Sequence, residues 1–104
     1  MIEIYVNVPI EPYCDLYLIS TFGNIKSLSK ACKILKPSLR GDYLGVTLYT
    51  RDNKKTYDIH RLVAITFLVP PKGCTVVNHK DGNKVNNHWC NLEWVTYSDN
   101  SIHS

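Results

Sequence analysis

His79, Asn91 and Asn100 are residues of this chain whose types suit hydrolytic chemistry and whose places in the sequence allow them to meet. A neutral imidazole can take a proton from water near neutral pH, which suits His79 to general-base work once a partner fixes its tautomer. The amide oxygen of Asn91, or its backbone carbonyl, can be that partner. A hard divalent cation takes oxygen ligands and keeps positions open for water and phosphate oxygens, so Asn100 and Asn78 can offer amide oxygens to Mg²⁺ or Mn²⁺. Base, orienter and metal together would form a phosphodiesterase site. Taken singly, each residue has a plainer reading: a histidine beside a β-branched strand is usually structural, and asparagine-rich loops are usually turns.

The elements that would bring them together lie in VVNHKDGNKVNNHWCNLEWVTYSDN, from Val76 to Asn100. Val76 and Val77 start a strand, Asp81-Gly82 signals a turn in the polar run from Lys80 to Asn87, and Leu92, Trp94 and Thr96 alternate along a second strand. Ser98 or Asp99 can cap a short helix. His79 then ends one strand, Asn91 stands at the mouth of the next and Asn100 falls in the first helical turn. His103, three residues after Asn100, shares its helical face and could approach the same metal.

The segment VNHKDGNKVNNHWCNLEWVT, with HRLVAITF before it and SDNSIH after it, resembles an HNH endonuclease of the phage and intron homing type. The resemblance implies a ββα-metal core in which His79 is the general base, Asn91 its orienter, and Asn100 a ligand of Mg²⁺ or Mn²⁺. In the best understood members the residue immediately before the base histidine is an acidic metal ligand; here it is Asn78. Asp81 falls in the loop of the family pattern rather than on the metal. YLISTFGNIKSL resembles the small module, Tyr-x-Ile-Ser followed by Gly-x-Ile-x-Ser, that precedes the core in many homing-type nucleases. The partner implied is double-stranded DNA.

The chain has 104 residues, 44% of them hydrophobic and 20% charged, which fits one ordinary globular unit. Twelve Lys and Arg against nine Asp and Glu leave a net charge of +3, which permits nucleic-acid binding without demanding it. No apolar run approaches the roughly 20 residues of a membrane span, and MIEIYVNVPIEPY lacks the layout of a signal peptide. A soluble, intracellular protein is expected. Cys14, Cys32, Cys74 and Cys90 form no CxxC pair, so no structural zinc is expected and free thiols are.

The alternating apolar positions of IEIYVNV, and then YLIST, predict two short strands around a loop broken by Pro9 and Pro12. Lys26, Lys30, Lys33, Lys36 and Arg40 follow at helical spacing with no acidic residue among them. Pro37 and the Gly23-Asn24 turn argue against one helix, and the resemblance favours strands near Ile25 to Leu28 and near Lys33 to Lys36. Lys26, Lys33, Lys36 and Arg40 are candidate phosphate contacts; a solvated lysine surface is the alternative. YLGVTLYTRDNKKTYDI predicts a hairpin turning at Arg51 to Lys54. HRLVAITFL, apolar nearly all round, predicts a buried helix ended by Pro70 and Pro71. Arg61 at its start could reach a phosphate, as could Lys80, Lys84 and His88 around the polar loop. His60 reads as structural.

The expected fold is α+β: a small antiparallel β module over residues 1–58, and a buried helix bracing a ββα-metal motif over residues 59–104 with a short final helix. The sequence does not fix the oligomeric state, and a monomer is favoured. The leading functional expectation is a metal-dependent DNA endonuclease or nickase. Its rival is a degenerate domain that keeps the fold and binds DNA without cutting, pointed to by Asn78. A coincidental motif on an unrelated fold would show no salt-dependent DNA affinity at all.

Overall fold

The computed structural model describes residues 2–28, 33–68, 73 and 76–96. The first three strands, β1 (Tyr5–Asn7), β2 (Tyr17–Ser20) and β3 (Ile25–Ser27), form an antiparallel sheet with β2 in the middle. Its β2–β3 turn is closed by one hydroxyl: Ser20 Oγ accepts from the backbone N–H of Phe22 at 3.1 Å and of Asn24 at 3.0 Å, and donates to Glu3 at 2.7 Å. The bond from Ser20, and next that from Asn24 Nδ2, hold the Glu3 carboxyl below its usual range.

The second sheet is β4 (Ser38–Arg40), β5 (Tyr43–Tyr49) and β6 (Lys54–Asp58), again antiparallel and in sequence order. The β5–β6 hairpin turns over residues 50–53, one residue before the predicted Arg51 to Lys54, since Lys54 already pairs with Tyr49. β4 was not expected: its three exposed residues carry no strand pattern and are held by pairing to β5. Gly45 on β5 makes room for this strand, because any Cβ there would run into Arg40 Cδ. The Arg40 stem crosses Gly45 and its guanidinium pairs with Asp58 at 2.9 Å. Among its described residues the lysine run forms no helix; Lys26 lies on β3 and bridges to Ile34, and Lys30 lies outside the described residues.

The helix α1 (Ile59–Phe67) follows β6 directly and buries Ile59, His60, Leu62, Val63 and Ala64. It is amphipathic rather than buried on every side: Arg61 is exposed and Ile65 is 43% exposed. Its N-cap residue Asp58 makes no side-chain cap bond, its carboxylate being turned to Arg40. The strands β7 (Val76–His79) and β8 (Leu92–Val95) form an antiparallel pair in the register Val77↔Trp94, Asn78↔Glu93 and His79↔Leu92. The final helix anticipated around Ser98 to His103 lies outside the described residues.

One hydrophobic core joins these parts. Ile19 and Ile25 of the first sheet, Val46 and Leu48 of the second, Leu62 and Val63 of α1, and Val77 and Leu92 of the β7–β8 pair all belong to it. Tyr17 ties the middle strands of the two larger sheets, its hydroxyl accepting from Tyr49 N at 2.9 Å and donating to Tyr49 O at 3.2 Å. Trp94 ties β8 to the end of α1 by donating Nε1–H to Leu68 O at 2.9 Å. No described helix is long and apolar enough to cross a membrane.

Candidate active site

His79 ends β7 with 5% of its surface exposed, and its ring is fixed on three sides by side chains from other elements. Nε2 lies 2.9 Å from Asn87 Oδ1, in the loop that returns to β8. With an amide oxygen there, Nε2 carries the proton and Nδ1 keeps the lone pair, which is the tautomer a base needs. Tyr43 of β5 stacks on His79 at 5.9 Å between ring centroids, and on His60 of α1 at 4.7 Å. The His60 and His79 rings are 5.2 Å apart.

The residue that holds His79 is thus Asn87, where the sequence pointed to Asn91. Asn91 instead closes the loop on itself. Its Nδ2 donates to Asp81 Oδ1 and to Asn86 O, both at 2.9 Å, its Oδ1 accepts from Asp81 N at 3.1 Å, and its carbonyl accepts from Lys80 N at 2.7 Å. Asp81 is the loop's other anchor, accepting from Asn86 Nδ2 at 3.0 Å and Asn83 N at 2.8 Å as well. These bonds, that from Asn86 foremost, keep its carboxyl below the usual range. Asp81 is accordingly a loop residue, as the resemblance implied. Asn91 acts on His79 at one remove, by fixing the loop that carries Asn87.

Asn87 is pressed into place from the opposite side by the β2–β3 turn. At Gly23, with φ of 87°, an added Cβ would stand 2.9 Å from Asn87 Cβ. A glycine is required there by both conformation and contact. The neighbouring turn residues grip the same loop: Thr21 O accepts from Trp89 N at 2.8 Å, and Phe22 packs on His88 at 4.8 Å. His88 accepts from Cys90 N through Nδ1, while its Nε2 is buried without a partner. His88 thus packs on the β2–β3 turn and caps the short turn at Cys90.

Beside His79 opens a polar hollow of about 380 Å³ lined by Asn78, His79, Lys80, Gly82 and Glu93. Asn78 donates Nδ2–H to Glu93 Oε2 at 2.9 Å across the strand pair. Amide and carboxylate oxygens on this wall are donors that suit a hard cation. No cluster of three or more His, Cys, Asp or Glu occurs among the described residues. Asn100 and His103, the other expected ligands, lie outside them. Cys14 and Cys90 are free thiols, as expected, and Cys32 and Cys74 are also outside the described residues.

The basic candidates divide. Lys80 lines the hollow, and Lys84 reaches over the Tyr43 ring at 5.2 Å while standing 3.4 Å from Asp42. Lys33, Lys36 and Arg61 are exposed. Lys26 sits over the Tyr5 ring at 4.3 Å, and Arg40 is held by Asp58.

His60 is 7% exposed, with Nδ1 buried and unpartnered. Burial, and next the positive charge of a protonated His79, push its pKa down to about 4; Asp58 opposes this and Arg61 adds to it. A depressed histidine pKa means that the unfolded chain binds the proton more readily. The stabilisation is complete above the unfolded value near 6.5 and is lost as pH falls towards 4. We expect about 2–3 kcal/mol of unfolding free energy to disappear over that window, and His60→Gln to remove most of the slope. Urea unfolding at pH 7, 6, 5 and 4.5 measures both.

Residues 57–102 match the family model described as HNH endonuclease. The chain is 48% identical over 90 residues to an uncharacterized HNH endonuclease, L245, of Acanthamoeba polyphaga mimivirus, covering 86% of this chain and 27% of that one. It is 41% identical over 92 residues to the DNA endonuclease I-HmuI of Bacillus phage SP01, covering 88% of this chain and 52% of the phage protein. A solved structure described as DNA binding and cleavage by the HNH homing endonuclease I-HmuI superposes with a TM-score of 0.83 at 37% identity, over 96% of this chain and 56% of that one. The chain thus spans about a quarter of the viral relative and about half of the phage enzyme.

Proposed function

We propose that this chain, whose residues 57–102 match the HNH endonuclease model, is a divalent-metal-dependent endonuclease or nickase acting on double-stranded DNA. The observation that carries the reading is the buried His79, held at Nε2 by Asn87 and open to a polar hollow beside it.

His79 Nδ1 takes the proton from a water that attacks phosphorus, and the bond from phosphorus to the 3′ oxygen breaks. The 3′ oxygen leaves with a proton from solvent, and the nicked strand carries a 5′-phosphate and a 3′-hydroxyl. Asn87 Oδ1 holds the imidazole by accepting Nε2–H before and after the transfer. Lys80, on the hollow, and Lys84, beside Tyr43, hold the flanking phosphates. Lys33, Lys36 and Arg61 extend the contact to more distant backbone. Asn78, with Asn100 and His103 beyond the described residues, would hold Mg²⁺ or Mn²⁺. A bound ion supplies stabilisation of the charge that develops on the phosphate and the leaving oxygen.

The experiment is nicking of supercoiled plasmid over a salt series with Mg²⁺ or Mn²⁺. Open-circular product is expected with metal, is expected to vanish with EDTA, and should return when metal is restored in excess. The second reading, a DNA-binding module that does not cut, rests on Asn78 in the position of an acidic ligand. Salt-dependent binding without nicking would favour it, and neither binding nor nicking would overturn both.

A further inference from the structure

An amide at position 78 does not leave the hollow without a carboxylate. The antiparallel register sets Asn78 opposite Glu93, so their side chains leave the β7–β8 pair on the same face, and Asn78 Nδ2 lies 2.9 Å from Glu93 Oε2. Both residues line the hollow that His79 lines, and Glu93 is the only carboxylate among the described lining residues. Asp81, closer to His79 in sequence, is consumed by the loop, with both carboxylate oxygens accepting hydrogen bonds. Asp42 faces Lys84, and Asp58 faces Arg40.

Building on the nuclease reading above, we propose that Glu93 is a metal ligand of this chain: its carboxylate, presented from β8, supplies the negative charge that Asn78 on β7 lacks. Mg²⁺ characteristically rests on one or two carboxylates and keeps several waters, so a single Glu93 with amide oxygens around it is a sufficient protein contribution. The Asn78–Glu93 hydrogen bond holds the carboxylate at the hollow, and the remaining carboxylate oxygen and Asn78 Oδ1 are the donors a cation would use.

The test is calorimetric titration of the full chain with Mn²⁺. Glu93→Gln keeps an oxygen able to accept from Asn78 and removes only the charge; its Mn²⁺ affinity is expected to fall roughly tenfold or more. Asn78→Asp combined with Glu93→Gln moves the carboxylate to the facing strand and is expected to recover most of the wild-type affinity. A residue that merely braced Asn78 would show neither the loss nor the recovery. Unchanged affinity in Glu93→Gln, with wild-type protein that binds Mn²⁺ and nicks, would overturn the Glu93 assignment and leave the nuclease reading standing. A wild-type chain with no saturable Mn²⁺ binding at millimolar metal and no nicking would overturn both.

Discussion

Replacing His79 with alanine will lower the rate of plasmid nicking by about 10²–10⁴-fold, the range a positioned general base commonly contributes. DNA affinity should stay within a factor of a few, because the nuclease reading gives phosphate contact to Lys80, Lys84 and the more distant basic residues. The substitution also empties a buried site between Tyr43 and His60, so some stability will be lost with it. Unfolding measured beside cleavage separates the two effects: a variant that is folded at the assay temperature, binds DNA and does not nick has lost the base. Full activity in that variant would remove His79 from the chemistry.

The second large effect is expected at Asn87. Its Oδ1 is the contact that fixes the proton of His79 on Nε2. Without it the ring can reorient and the other tautomer competes, and misplacing a reacting group by about 1 Å can cost on the order of 10²-fold. Asn87→Ala should therefore reduce nicking about 100-fold with little change in DNA affinity. Asn87→Asp is the sharper variant. A carboxylate facing Nε2 favours the imidazolium, so the acidic limb of the pH–rate profile should move to higher pH while activity well above that limb is largely kept. Combining His79→Ala with either Asn87 variant should add almost nothing further, since the amide works only through the ring.

The elements of the site were legible in sequence where local pattern and tertiary structure agree. β7 and β8 carry β-branched and alternating residues around a polar loop, and His79 falls at the strand end for that reason alone. The helix from Ile59 was equally plain, although its exposed face was not, because Ile65 looks like core until the surrounding sheets are known. β4 was invisible, since Ser38, Leu39 and Arg40 become a strand only by pairing with β5. Asn87 could not be singled out either. It stands in a run of polar residues beside an identical Asn86, and what distinguishes it is its contact with His79, eight residues away, and with Gly23, far off in the chain. Glu93 was hidden differently: it reads as the solvent-facing member of an alternating strand until the register places it against Asn78.

The close approach of Gly23 to Asn87 reaches beyond the geometry of one turn. It makes the amino-terminal sheet part of the wrapping of the histidine, alongside the Thr21–Trp89 and Phe22–His88 contacts. Exchange of parts between this chain and its relatives is constrained accordingly. A chimera that takes the turn from one parent and the polar loop from another inherits two surfaces shaped separately, and any side chain at position 23 would meet a residue at 87 that never had to accommodate it. The turn and the loop behave as one heritable unit, although more than sixty residues of chain lie between them.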